Sequence, residues 1–201
     1  MKQKQIRLVT DQVNQQEMAV LLSELSRVLD NAVDGDVVEL GCYEGGSAVA
    51  IQQLLTDSDS SDKTLWLYDS FEGLPEKTSE DNSVNGELFV GGALKASKAR
   101  LERNFHKANL YLPEIKKAWF FELDTDDLPD KICFAFLDGD FYESIMDSFK
   151  LVFPKVSKGG VIVVDDYENT KLPGVKKAVD EFALLQNLTV KSDISLAIIK
   201  I

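Results

Sequence analysis

Histidine occurs once and cysteine twice in these 201 residues. The lone His106 stands beside Lys107 near a predicted helix end and reads as a surface residue, not a catalytic one. Cys42 and Cys133 both fall at predicted strand ends, as buried thiols of a reducing compartment would, and two such residues make no disulfide framework. Positive charge is also short: 22 Lys and Arg stand against 34 Asp and Glu, a net charge of −12. Phosphate backbones are bound by basic faces, so a nucleic-acid partner is not expected. No apolar run reaches the roughly 20 residues of a membrane span, and the polar start at residues 1–5 does not have the pattern of a signal peptide. The expectation is a cytoplasmic protein with no membrane partner; a homo-oligomer is left open.

What is present is ordinary for a soluble globular chain: 44% hydrophobic and 28% charged residues. The length suits one domain, 1–201, with a full core, and no repeat or linker divides it.

Met18, Leu21, Leu22, Leu25, Val28 and Leu29 recur at helical spacing, so 14–31 reads as an amphipathic helix with Asn14 and Glu17 as its capping pair. Strands are predicted at 37–40, 65–68, 118–121, 132–137 and 161–164. Helices are predicted from Ser47, a good N-cap, to about 55, then at 94–105, at 141–153 and from Pro173 onward. The chain closes on two strands, 188–190 and 194–201, about a turn at Ser192-Asp193. Residues 56–63 read as a polar loop. Residues 71–92 form a long, sparsely apolar connection, the kind that often serves as a lid. Alternating strands and helices imply an α/β fold: a mostly parallel sheet with helices on both faces and an antiparallel strand at its end.

The organising stretch is Ile132–Leu137, an unbroken apolar run that reads as a strand buried on both faces and stops at Asp138-Gly139-Asp140. A second run, 161–164, stops at Asp165-Asp166. Ligands of open parallel sheets gather beyond the carboxyl ends of strands, so four carboxylates converge on one crevice. Two like charges about 4 Å apart repel by about 4 kcal/mol at an effective dielectric of about 20. A divalent metal, a cationic ligand or a trapped proton should therefore lie among them. Individually, such acids also serve as caps of the following helix or turn.

The first strand and loop read Glu39-Leu40-Gly41-Cys42-Tyr43-Glu44-Gly45-Gly46-Ser47. A dinucleotide fingerprint would require glycine where Tyr43 stands, which disfavours close approach by a diphosphate. The remaining acid-x-Gly-x-x-x-Gly pattern resembles the first motif of class I S-adenosylmethionine methyltransferases. That resemblance places the cofactor on Glu39, Gly41, Tyr43, Gly45 and Ser47, with Asp69, at the end of the second strand, on the ribose hydroxyls. The plain alternative is a tight strand-to-helix turn with an incidental acid.

Three longer stretches are more specific. They are Phe136-Leu-Asp-Gly-Asp-Phe-Tyr-Glu-Ser144, Gly159-Gly-Val-Ile-Val-Val-Asp-Asp-Tyr167, and Pro173-Gly174 with Lys177-Ala-Val-Asp-Glu-Phe182. Together with Tyr68-Asp-Ser-Phe-Glu-Gly-Leu-Pro75, and Trp119-Phe120 with Leu128-Pro129, they resemble the macrocin O-methyltransferase family, which methylates sugar hydroxyls of antibiotics with S-adenosylmethionine and Mg²⁺. The resemblance runs from Asp36 onward. It implies a seven-stranded class I methyltransferase (Rossmann-like) fold, with Asp138, Asp165 and Asp166 holding the metal and Asp140 as general base. Three departures accompany it: a shorter region before the first core helix, an expanded 121–127, and Phe141 where leucine is commoner. The reading is an O-methyltransferase of a small-molecule acceptor. Its rivals are metal-independent transfer to nitrogen or carbon, and a non-catalytic binding domain of the same fold.

Overall fold

The computed structural model describes residues 13–58, 62–84, 86 and 88–201. The polar start at residues 1–5 lies outside them, as do parts of 56–63 and of 71–92. Helix α1 (Gln15–Asp30) begins on the capping box its sequence predicts: Asn14 Oδ1 accepts from Gln16 N and Glu17 N, and Glu17 accepts from Asn14 N at 3.0 Å. Met18, Leu21, Leu25 and Val28 then form its buried stripe.

Seven strands follow: β1 (Asp36–Leu40), β2 (Leu65–Asp69), β3 (Glu114–Lys117), β4 (Ile132–Leu137), β5 (Val156–Val164), β6 (Val190–Asp193) and β7 (Leu196–Lys200). They make one sheet in the order β3-β2-β1-β4-β5-β7-β6. Every neighbouring pair is parallel except those of β7, which runs antiparallel to both β5 and β6. The other helices are α2 (Gly46–Asp57), α3 (Lys98–Ala108), α4 (Tyr142–Val152) and α5 (Pro173–Gln186).

Two apolar cores lie on the two faces of the sheet. Side chains of α1, α2 and α3 pack with Val37, Leu67, Phe136 and Val163. Those of α4 and α5 pack with Val38, Leu40, Leu137 and Val164. Because both faces are covered, β4 is apolar at every position, as are residues 161–164 of β5, rather than at alternate ones. Phe149 and Phe182 stack across the α4–α5 contact with ring centroids 4.2 Å apart. The pairing of β4 skips from Ile132 to Phe134 against both neighbours, a bulge that puts Cys133 and Phe134 into the same core. Both cysteines are free and buried. No helix among the described residues is long and apolar enough to cross a membrane.

Several expected boundaries move. The third strand is Glu114–Lys117, a polar edge strand, and Ala118 to Phe121 leave the sheet, with Phe120–Glu122 forming a 3₁₀ turn. Helix α3 starts at Lys98, not 94, because Ser97 is the residue that caps it, accepting from Arg100 N. The last two strands turn at Ile194-Ser195, beyond the expected Ser192-Asp193, with Ile194 at φ 58°. Pro173 opens α5 in its first turn, as expected.

Hydrogen bonds carry the parallel ladder one step past the strands: Gly41 N to Tyr68 O (2.9 Å), Asp138 N to Leu40 O (2.8 Å) and Asp165 N to Leu137 O (2.9 Å). The loops after β2, β1, β4 and β5 are thereby held side by side along one edge of the sheet.

Candidate active site

The loop after β1 owes its shape to its glycines. Gly41 has φ +90°, and a Cβ there would lie 1.9 Å from the Asp138 carbonyl oxygen, so only glycine lets the two loops touch. Tyr43 takes a left-handed turn at φ 45°, and Gly45 at φ +83° begins α2 with no side-chain cap. Ser47 is therefore not the N-cap expected of it; it lies inside α2, where its hydroxyl donates to Glu39 Oε1. Glu39 is fully buried, and its other oxygen has no partner among the described residues. Burial pushes its carboxyl up to about 8, aided by the nearby Asp69 and opposed by the Ser47 hydrogen bond.

Asp69 reaches back into this loop. Its Oδ2 accepts from Cys42 N and Tyr43 N, both at 2.9 Å, and its Oδ1 from Phe71 N at 2.6 Å. Of the six residues expected on the cofactor, Gly41, Tyr43 and Asp69 line a cleft of about 270 Å³ at the sheet edge. Glu39, Gly45 and Ser47 are not among its lining: Gly45 packs against Leu101, and Glu39 and Ser47 are bonded to each other beneath the loop.

The same cleft is lined by Asp138, Asp140, Asp165 and Asp166. One oxygen from each of Asp138, Asp140 and Asp166 lies within 4.8 Å of the others. This trio differs from the expected metal set, since it includes Asp140 and leaves out Asp165. Asp165 turns one oxygen to Asp166 N at 2.9 Å, and Asp166 accepts from Asn169 Nδ2 at 2.8 Å. Asp140 and Asp166 both sit at positive φ, 60° and 56°, where side chains other than glycine are uncommon and Asp is better tolerated than most.

Burial is the first cause that raises the Asp138 carboxyl well above the usual range; Asp165, Asp140 and Asp166 add to it. Burial and Asp166 do the same to Asp140 and Asp165. The charges compete for the same space, which is the state a cation relieves. Oxygen atoms are the ligands that hard divalent ions take, and three carboxylate oxygens gather here within 4.8 Å of one another. The donor set therefore fits a hard divalent ion.

Trp119, set in a loop rather than the expected strand, lines the cleft with Phe120 and Phe121, and its ring stacks on Phe121 at 6.0 Å between centroids. His106 is exposed on the last turn of α3. The Tyr142 and Tyr167 hydroxyls donate to Glu181 and Asp180. Lys176 pairs with Glu168 and Lys177 with Glu80, both exposed.

Sequence reasoning missed Asp81 and Asn169, both of which line the cleft. The spacing of Asn169, three residues after Asp166, is a local signal for a side-chain turn. Asp81 carries a local signal too, the Thr78-x-x-Asp81 capping pattern, but its bond to Tyr142 N, 61 residues away, has none.

This chain is similar to known O-methyltransferases in both sequence and structure. It is 34% identical over 164 residues to the demethyldecarbamoylnovobiocin O-methyltransferase of Streptomyces niveus, covering 77% of this chain and 60% of that protein. It is 30% identical over 161 residues to the mycinamicin III 3''-O-methyltransferase of Micromonospora griseorubida, covering 77% of this chain and 62% of that one. The chain thus spans about 60% of the length of these curated relatives. Among solved structures, the O-methyltransferase NovP superposes with a TM-score of 0.80 at 28% identity, over 92% of this chain and 79% of its own. The calicheamicin methyltransferase CalS11 shares the fold at a TM-score of 0.77 and 18% identity, over 94% of this chain and 80% of its own. The sheet order and the antiparallel β7 are those of the class I methyltransferase fold that the sequence implied. The macrocin-O-methyltransferase (TylF) family model matches residues 7–195, nearly the whole length, and the chain belongs to that family.

Proposed function

We propose that this protein is an S-adenosylmethionine-dependent O-methyltransferase that acts on a hydroxyl of a small molecule of the sugar or natural-product type with the help of Mg²⁺. The observation that carries the reading is the meeting of the glycine loop and Asp69 with three converging carboxylates in one cleft. Gly41, Tyr43 and Asp69 would hold the cofactor, with Asp69 on its ribose hydroxyls; Glu39, Gly45 and Ser47 shape the loop from behind. When bound, the cofactor supplies an electrophilic methyl group on a sulfonium.

Asp138 and Asp166 would hold the ion, with Asp165 beside them in the lining of the cleft. Asp140 is the general base. Its carboxylate oxygen stands within 4.8 Å of oxygens of Asp138 and Asp166, so it can take the proton of a hydroxyl set against that cluster. Burial raises the basicity of Asp140, which favours that transfer. The remaining task is alignment of oxygen and methyl, which the cleft's walls supply by restricting the acceptor.

A second reading, metal-independent transfer to nitrogen or carbon, draws support from the raised acids, since protons can relieve their repulsion in place of an ion. Methyl transfer from labelled S-adenosylmethionine to a panel of sugars, glycosides, phenols and amines, with Mg²⁺ or with EDTA, separates the readings. Mg²⁺-dependent labelling of hydroxyls is expected. EDTA-resistant labelling of amines would favour the second, and cofactor binding with no labelling would leave a binding domain.

A further inference from the structure

The long connection expected as a loose lid is fastened at both ends and in the middle. Leu74 exchanges hydrogen bonds with Ala93 and Gly92, each 2.8 Å, which closes the segment into a strap beside the cleft. Ser83 Oγ donates to Thr170 O at 2.9 Å, and Lys77 Nζ donates to Gly86 O at 2.8 Å within the strap. Midway, a 3₁₀ turn (Ser79–Asp81) puts Asp81 inside the protein at 1% exposure.

Asp81 joins two segments that are distant in the chain. Its Oδ2 accepts from Thr78 N at 2.9 Å and Thr78 Oγ1 at 2.8 Å, gathering the strap. Its Oδ1 accepts from Tyr142 N, the first residue of α4, at 2.7 Å. Phe141 is the N-cap of that helix and offers no side-chain acceptor, so Asp81 does the capping from across the cleft. A carboxylate is also favoured at a helix N-terminus by the helix dipole.

The fold makes room for this contact. Gly174, in the first turn of α5, lies so near that a Cβ there would be 1.9 Å from Asp81 Oδ1 and 3.0 Å from Tyr142 N. The turn under control is Asp138-Gly139-Asp140-Phe141. At its start Asp138 N is bonded to Leu40 O, and at its end Tyr142 N is bonded to Asp81. Between them Asp140 holds a left-handed conformation. Among the described residues, Asp81 makes the one hydrogen bond from the strap to this stretch.

We infer that Asp81 is a positioning residue that pins the strap to the first turn of α4 and so sets the backbone that aims Asp140. The strap and the acid turn then order together or loosen together. The inference goes beyond the proposed reaction and rests on it only for the kinetic arm of its test.

Hydrogen exchange on the ligand-free full chain is the first arm. Asp81→Ala should speed exchange at least about fivefold in peptides covering 138–146 as well as those covering 74–84, with β4 and β5 unchanged. Acceleration confined to 74–84 would overturn the inference, because Asp81 would then serve the strap alone. Gly174→Ala guards against a variant that merely unfolds. Helix propensity predicts that alanine strengthens α5, whereas crowding at Asp81 predicts faster exchange at 138–146. Unchanged exchange there would also overturn the inference. The second arm is kinetic: Asp81→Asn should lower kcat about tenfold while the KM for S-adenosylmethionine stays within about twofold. Equal loss in both would mark a general structural role and overturn it. If the unaltered protein transfers no methyl group, the proposed reaction fails, yet the exchange arm still decides the role of Asp81.

Discussion

Gly41 and Asp138 are in backbone contact: the space a methyl group on Gly41 would occupy lies 1.9 Å from the Asp138 carbonyl oxygen. The cofactor loop and the acid loop thus share a wall. Gly41→Ala must push them apart and also hold alanine at φ +90°. Overpacking costs about 1–3 kcal/mol, and the left-handed backbone adds about 1–2 kcal/mol. Urea unfolding should show a loss in that range, and calorimetry should show weaker binding of both S-adenosylmethionine and Mg²⁺. Loss of one with the other intact would show that the shared wall does not couple them.

Asp69 accepts three backbone N–H groups, so it shapes the loop as well as facing the cleft. Asp69→Ala removes charged hydrogen bonds that contribute about 1.5–3 kcal/mol each. Affinity for S-adenosylmethionine should fall about 10–100-fold, while Mg²⁺ affinity measured without cofactor changes little. Tight binding of a nicotinamide dinucleotide by the unaltered protein would sink the cofactor assignment.

The trio of carboxylates predicts two different deficits. Asp166→Asn should weaken Mg²⁺ binding, with activity partly recovered in excess metal. Asp140→Asn should cut turnover about 10²–10⁴-fold, the contribution of a positioned base, and excess metal should not recover it. The opposite pattern would exchange the two roles.

Glu39 supplies a pH dependence. Its folded value, about 8, lies above the ordinary 4.5, so its contribution to stability is complete below about 4.5 and is lost as pH rises toward about 8. The loss is on the order of a few kcal/mol. Glu39→Gln removes this titration. Thermal unfolding of the variant should therefore fall less steeply between pH 5 and pH 8, and its Tm should exceed that of the unaltered protein at about pH 8. Parallel curves for the two proteins would mean that Glu39 is ionised in the fold at neutral pH.

The parts legible in the sequence are those set by burial. β4 was readable to its bounds because all of its residues are apolar and buried, an unbroken run that ends where the acids begin. The Asn14 cap and Pro173 at the start of α5 were equally local. β3 was not legible: Glu114-Ile-Lys-Lys117 lies at the sheet's edge, mostly exposed, so it has no apolar signature. The aromatic run 118–121 imitated a strand because residues that line a cleft and residues that fill a core share a composition. Ser47 imitated a cap, while the nearby left-handed Gly45 set the helix start. Three acids converge as the two apolar runs implied, but which three depends on turns at positive φ that no spacing reveals.

The place of β7 governs how the protein can be made. Residues 196–200 are inserted between β5 and β6, although they follow both in the chain. Until they emerge, Val161 to Val164 present a bare apolar edge that β7 alone satisfies on that side. A nascent chain stalled, or cut, before Leu196 therefore carries an open strand next to its acid motif, the kind of edge that recruits other chains. The sheet is thus closed at an interior position by the last of its strands in chain order, and β5 with its acid loop stays open on one side until residues 196–200 are in place.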